Sequence, residues 1–316
     1  MVKLGLRGWI TRPGPSRCIA SVVAGVTLVA GSGPGVAGAN ASSVGASSPV
    51  SRQTFTREIR PHPMMPRAPL ADPCVAAVPN VPASQTAVIQ ACLDTSANVA
   101  LRPGTYVIDG PGLHMSRDGA SFPSQNPGQL ARLLAAPGLA HPLLEVAGGT
   151  GDSIDHLVFD GNRDQRAVAT CKGYRIFGTN VAIERSPSFK FTNNQSVNTM
   201  CGSALQIVSA APGGPGFEVT GNLFANNGRG ILDKDGPEPW ADGITLVSCN
   251  GGKIEGNMLI NNTDIGIVDG GGEGCLITHN DISNPERKGH GFGGIALHNF
   301  HVGGGMGDHQ GTMVEG

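Results

Sequence analysis

The second half of the chain alternates apolar and polar residues with the period of β-strands. "SALQIVS" from Ser203, "DGITLVS" from Asp242, "IGIVDG" from Ile265 and "GGIALHN" from Gly293 each alternate small apolar residues over a few positions, which predicts strand and not helix. Between them recur "FKFTNNQSVN" (Phe189), "FEVTGNLFANN" (Phe217), "GKIEGNMLINN" (Gly252) and "CLITHNDISN" (Cys275), which can be written under one another without gaps. That stacking aligns Asn194, Asn222, Asn257 and Asn280 in one column and Asn198, Asn226, Asn261 and Asn284 in another. "LVFDGN" from Leu157 fits the first column with Asn162, giving steps of 32, 28, 35 and 23 residues. A core that repeats while its inserts vary in length is the signature of a solenoid.

Two or three strands per repeat of about 23 residues, separated by Gly and Asn corners, predict one coil of a right-handed parallel β-helix, with equivalent residues stacked about 4.8 Å apart. Asparagine tolerates left-handed backbone at a corner, and its amide can hydrogen-bond from coil to coil, so the columns are expected to be structural ladders. Upstream, "ASQTAVIQACLDTSANVALRPGTYVID" predicts a short amphipathic helix over 84–93, then a strand, and such a helix would cover the first coil. Downstream, "MVEG" (Met313) lies over "KIEG" (Lys253), and the chain stops where the earlier repeat continues with Asn257. The expectation is a chain truncated within a coil, with an uncapped strand edge through which a partner or oligomer would complete it.

Composition agrees with many short strands and tight turns: 48 glycines, 4% aromatic and 15% charged residues predict an all-β chain. A net charge of −2 without a long basic run lacks the electrostatic footprint of a nucleic-acid binder. Lys3, Arg7, Arg12 and Arg17 precede the apolar "CIASVVAGVTLVAG" and the small residues Ala37-Gly38-Ala39, the order of a secretory signal peptide over 1–39. A Ser/Pro/Arg/Ala-rich stretch over 40–72 reads as a flexible leader, leaving 73–316 as the β-helix domain. No membrane span is expected in the mature protein, which is placed outside the cytoplasm, secreted or periplasmic. Six cysteines then remain, Cys74, Cys92, Cys171, Cys201, Cys249 and Cys275, an even number that favours disulfides in an exported chain. Sequential pairing is the simplest connectivity, and the lack of a CxxC argues against zinc.

The helix, "LRPGTYVI", "LVFDGN" and the asparagine repeats together resemble the pectin-lyase-like superfamily of extracellular β-helix proteins over roughly residues 74–316. That resemblance implies a groove along one sheet in which a polysaccharide is bound or cleaved, but a fold does not name a reaction. A narrower similarity is to polygalacturonases, through "NTD" (Asn262–Asp264) and "GHG" (Gly289–Gly291). Here no Asp-Asp lies between Asp264 and His290, which are 26 residues apart, and no Arg-Ile-Lys follows.

Superposing Gly243 on Gly266 puts Asp264 level with Ala241 and diagonal to Asp242. With Ile265 and Ile267 taken as inward, alternation predicts Asp264 outward, while Asp269 shares the inward parity at a corner. Two carboxylates on adjacent coils suit glycoside hydrolysis, one protonating the leaving oxygen while the other activates water or attacks the sugar. Asp242 and Asp264 are the leading catalytic pair and Asp269 a third candidate, with Asp233 and Asp235 in reserve. Trp240 is a candidate sugar-stacking platform. A uronate lyase would instead neutralise a carboxylate with Ca²⁺ or Arg and use a Lys, Arg or His base, for which Arg229, Lys234, Arg287, Lys288 and His290 are available. Hydrolysis needs no cofactor. His298 and His301 lack an evident third metal ligand. A non-catalytic surface or carbohydrate-binding scaffold is the reading from another class.

Overall fold

The computed structural model describes residues 74–166, 178–208, 216–229, 240–286, 293–299 and 309–316, with backbone alone at 232–233 and 236–237. The proposed signal peptide and leader lie outside these residues, as do Cys171, Lys234, Asp235, Arg287, Lys288, His290 and His301, and the side chain of Asp233. Three parallel sheets of seven strands each run the length of the domain, and every full coil gives one strand to each sheet. One coil comprises Lys190–Thr192, Gln195–Val197 and Gly202–Val208; the next comprises Glu218–Thr220, Leu223–Ala225 and Ala241–Ser248. Lys253–Glu255, Met258–Ile260 and Ile265–Asp269 follow, then Leu276–Thr278, Asp281–Ser283 and Gly293–Leu297, and finally Met313–Glu315 on the first of the three sheets. The fold is a right-handed parallel β-helix.

In two of the sheets the coils stack in unbroken register, Phe191 on Val219 on Ile254 on Ile277 in one and Ser196 on Phe224 on Leu259 on Ile282 in the other. Inward residues form a continuous dry core in which Phe159, Phe191 and Phe224 stack at centroid separations of 5.8 and 6.3 Å. A second stack, Phe189 on Phe217, fills a corner at 4.7 Å. Full burial of each such side chain is worth roughly 2–3 kcal/mol, so the few aromatics are concentrated where they hold coil to coil.

The asparagine columns are ladders. The backbone N–H of Asn194 donates to Asn222 Oδ1, that of Asn222 to Asn257 Oδ1 and that of Asn257 to Asn280 Oδ1, at 2.8–3.0 Å. Their Nδ2 groups donate to carbonyls of the preceding strands, including Phe191 and Val219. Asn198, Asn226 and Asn261 of the other column hold left-handed backbone, with φ of 53–58°. The position of Asn162 is corrected: Leu157, whose N–H donates to Asn194 Oδ1, occupies the first column in that coil. A third ladder was not read from the sequence. Asn227 Oδ1 accepts from Thr199 N–H, and its Nδ2 donates to Asn262 Oδ1 at 2.7 Å.

The helix spans Thr86–Thr95, two residues downstream of its expected limits, and buries Ile89 and Leu93. Gln90 receives the N–H of His114 and donates to its carbonyl, so the strand edge at Leu113–Met115 meets an amide instead of an open ladder. Disulfides join Cys74 to Cys92 and Cys249 to Cys275, and Cys201 is also disulfide-bonded. The first ties the helix to the segment before it; the second joins corners of successive coils. These bonds are compatible with an extracellular or periplasmic location. Among the described residues no helix is long and apolar enough to cross a membrane.

Candidate functional site

The strand Ala241–Ser248 is flanked by Gly202–Val208 and Ile265–Asp269, with Ser203 paired to Asp242 and Ile244 to Ile267. The superposition of Gly243 on Gly266 therefore holds, and Asp264 is level with Ala241, whose carbonyl accepts its N–H at 3.3 Å. The facing of the side chains differs from simple alternation. A Cβ on Gly243 would strike Leu259, and one on Gly266 would strike Ile282, so both glycines face the interior, as do the fully buried Ile244 and Ile267 after them. Two successive inward residues shift the parity by one. Ile265 is accordingly partly exposed in the row of Asp242, and the expectation that it faces inward is corrected. Asp264, set one step back, lines a cavity of about 160 Å³ with Leu259, Asn262, Gly266, Ile282 and Ser283. It does not stand on the outer face of the sheet as alternation predicted.

The same parity shift puts Asp242 and Thr245 on one face although they are three residues apart. Thr245 Oγ1 donates to Asp242 Oδ2 at 2.7 Å, and Ile265 N–H donates to Oδ1 at 3.2 Å. Burial is the larger cause that pushes the Asp242 carboxyl up to about 7, and the negative charge of Asp264 adds to it; the Thr245 and Ile265 hydrogen bonds act the other way. Burial also raises Asp264, whose carboxylate meets no hydrogen-bond donor among the described residues. Burial thus raises carboxyls on two adjacent coils, and the charge of Asp264 acts on Asp242. A carboxyl raised toward neutrality is the kind of group that serves as a general acid.

The other candidates are distributed differently. Asp269 lies at the far end of its strand, roughly 13 Å from Ile265 at 3.3 Å per residue. Its side chain is fully buried, with Oδ1 accepting from Gly271 N–H and Oδ2 facing His309 Nδ1 at 3.2 Å. Burial raises it as well. Trp240 directly precedes the strand of Asp242, is partly buried, and accepts Gly202 N–H at its carbonyl. Arg229 is partly exposed beyond Leu223–Ala225 and forms no ion pair among the described residues. His298 donates its backbone N–H to Asp269. No group of three His, Cys, Asp or Glu side chains able to hold a metal occurs among the described residues. Thr245 and Ser203 are the site residues the sequence reading missed. The repeated pair of a small residue and a larger apolar one, in Ala204-Leu205, Gly243-Ile244, Gly266-Ile267 and Gly294-Ile295, was the available signal.

No protein-family model matches the chain, and no curated protein matches it. Among solved structures it is similar to the A-module of the Azotobacter vinelandii mannuronan C-5 epimerase AlgE4, at 13% identity and a TM-score of 0.32, over 77% of this chain and all of that one. It is also similar to ORF18 of Geobacillus virus E2, at 12% identity and a TM-score of 0.32, over 68% of this chain. The chain spans 56% of the length of that viral protein.

Proposed function

We propose that the chain is an exported, carbohydrate-active β-helix protein that cleaves a polysaccharide by hydrolysis, with Asp242 as general acid and Asp264 as its partner carboxylate. The observation that carries this reading is the carboxyl pair on adjacent coils, with Asp242 pushed up to about 7 beside Asp264. A carboxylic acid that keeps its proton near neutrality can deliver it to the leaving glycosidic oxygen, while the second carboxylate activates water or attacks the sugar. Trp240, two residues before Asp242 in sequence, supplies a flat apolar face for a pyranose ring, and Arg229, Lys288 and His290 are proposed as further substrate-binding groups. This chemistry asks for no cofactor.

Incubation with a panel of neutral and uronate polysaccharides tests it, reading both reducing ends and the absorbance of unsaturated products. New reducing ends without unsaturation, lost in Asp242→Asn and Asp264→Asn, support hydrolysis. Unsaturated products assign a lyase instead, and absence of both from folded protein rejects either enzyme.

A further inference from the structure

We propose that Thr245, itself oriented by Ser203, is the positioning residue of Asp242: it holds Oδ2 as an acceptor, so that the proton delivered to substrate is carried on Oδ1. Delivery rests on the hydrolytic reading above; the hydrogen-bond order does not. Thr245 Oγ1 lies 2.7 Å from Asp242 Oδ2, and Ser203 Oγ lies 2.6 Å from Thr245 Oγ1. A hydroxyl has one proton to donate. Thr245 uses its proton on the carboxylate, so the Ser203 hydroxyl donates to Thr245, and the two bonds polarise each other in one direction.

Ser203 can fix this order because it is itself fixed. It is 4% exposed, and its backbone N–H donates to Thr179 Oγ1 at 3.3 Å, which ties it to the coil before. The hydroxyl relay thus runs across the sheet from Ser203 through Thr245 to Asp242, with Thr179 anchoring the Ser203 backbone. The other oxygen, Oδ1, receives the Ile265 backbone N–H at 3.2 Å, which leaves it a lone pair for a proton. The flanking strands present Ser203 and Gln206 on one side and Ile265 and Val268 on the other, all uncharged, and Asp264 is the charged group acting on Asp242.

The test is the titration midpoint of the Asp242 carboxyl, read by ¹³C NMR on the full chain with labelled aspartate and assigned by Asp242→Asn. Loss of a donor to the ionised form in Thr245→Val is expected to raise the midpoint by about one pH unit, Ser203→Ala to raise it by less, and Thr245→Ser to restore it. An unmoved midpoint in Thr245→Val, or a Thr245→Ser variant that behaves like the valine, overturns the assignment. If Thr245→Val does not fold, Ser203→Ala carries the test, and an unmoved midpoint there overturns it. Polysaccharide cleavage on the same wild-type sample separates the two proposals. A shifted midpoint without cleavage keeps the relay and rejects hydrolysis; cleavage with an unmoved midpoint does the reverse.

Discussion

Replacing Asp242 by asparagine should change how stability depends on pH more than it changes stability itself. The folded-state pKa of Asp242 is raised from 3.8 to about 7, so between those values the folded chain holds a proton that the unfolded chain has released. The favourable state of this group is therefore complete below about pH 4, and stability is lost as pH rises through about 7. Roughly three units at about 1.4 kcal/mol each give a ceiling of about 4 kcal/mol. Asp242 is partly open to solvent, and screening reduces this to about 2 kcal/mol. Asparagine cannot ionise, and although its amide NH₂ cannot accept one of the two donors at the site, that cost of about 1 kcal/mol is the same at both ends of the range. The measurement is urea unfolding of wild type and Asp242→Asn at about pH 4 and about pH 8, where titration of other groups largely cancels in the difference. The wild type should lose about 2 kcal/mol relative to the variant across that interval, equivalent to roughly 4–8 °C in Tm for a domain of this size. A wild-type-minus-variant difference that is flat with pH would refute the elevated carboxyl.

Three further outcomes follow from the same structure. Asn222→Ala removes the acceptor of Asn194 N–H and the donor to Phe191 O, both buried, and should destabilise by about 2–4 kcal/mol in denaturant unfolding, against less than about 0.5 for exposed Asn98→Ala. Replacing both Cys249 and Cys275 by alanine opens a 26-residue separation and should cost about 3 kcal/mol in non-reducing conditions, with the loss vanishing when wild type is reduced. Hydrolysis should fall as pH rises through about 7, because Asp242 must be protonated to act as the acid, and a rate that instead rises through that range excludes this role.

The coil register was legible in the sequence because asparagine serves two separate corner roles, bonding to the next coil and taking left-handed backbone. Asn194, Asn222, Asn257 and Asn280 recur for the first and Asn198, Asn226 and Asn261 for the second, whatever the length of the inserts. The third ladder went unread because Asn227 and Asn262 sit beside the corner residues Asn226 and Asn261, and each doublet looked like one signal. Side-chain facing was less legible. Strand alternation assumes one residue per face, and the inward pairs Gly243-Ile244 and Gly266-Ile267 break it, which moved Ile265 outward and Asp264 to the cavity wall. The Asp242–Thr245 contact depends on the same break. Contacts made by long returns were not legible at all: Asp269 meets His309, 40 residues on, and Arg163 donates to the carbonyls of Asn226 and Gly228 on other coils. No local pattern encodes such meetings.

The proposed acid role of Asp242 depends on its carboxyl being raised by burial and by the charge of Asp264. Titration of the Asp242 carboxyl by ¹³C NMR in wild type and in Asp264→Asn measures this without any substrate. The wild-type midpoint is expected near 7 and is expected to fall when the Asp264 charge is removed. A midpoint near the ordinary carboxylate value of about 4 in both proteins would contradict it.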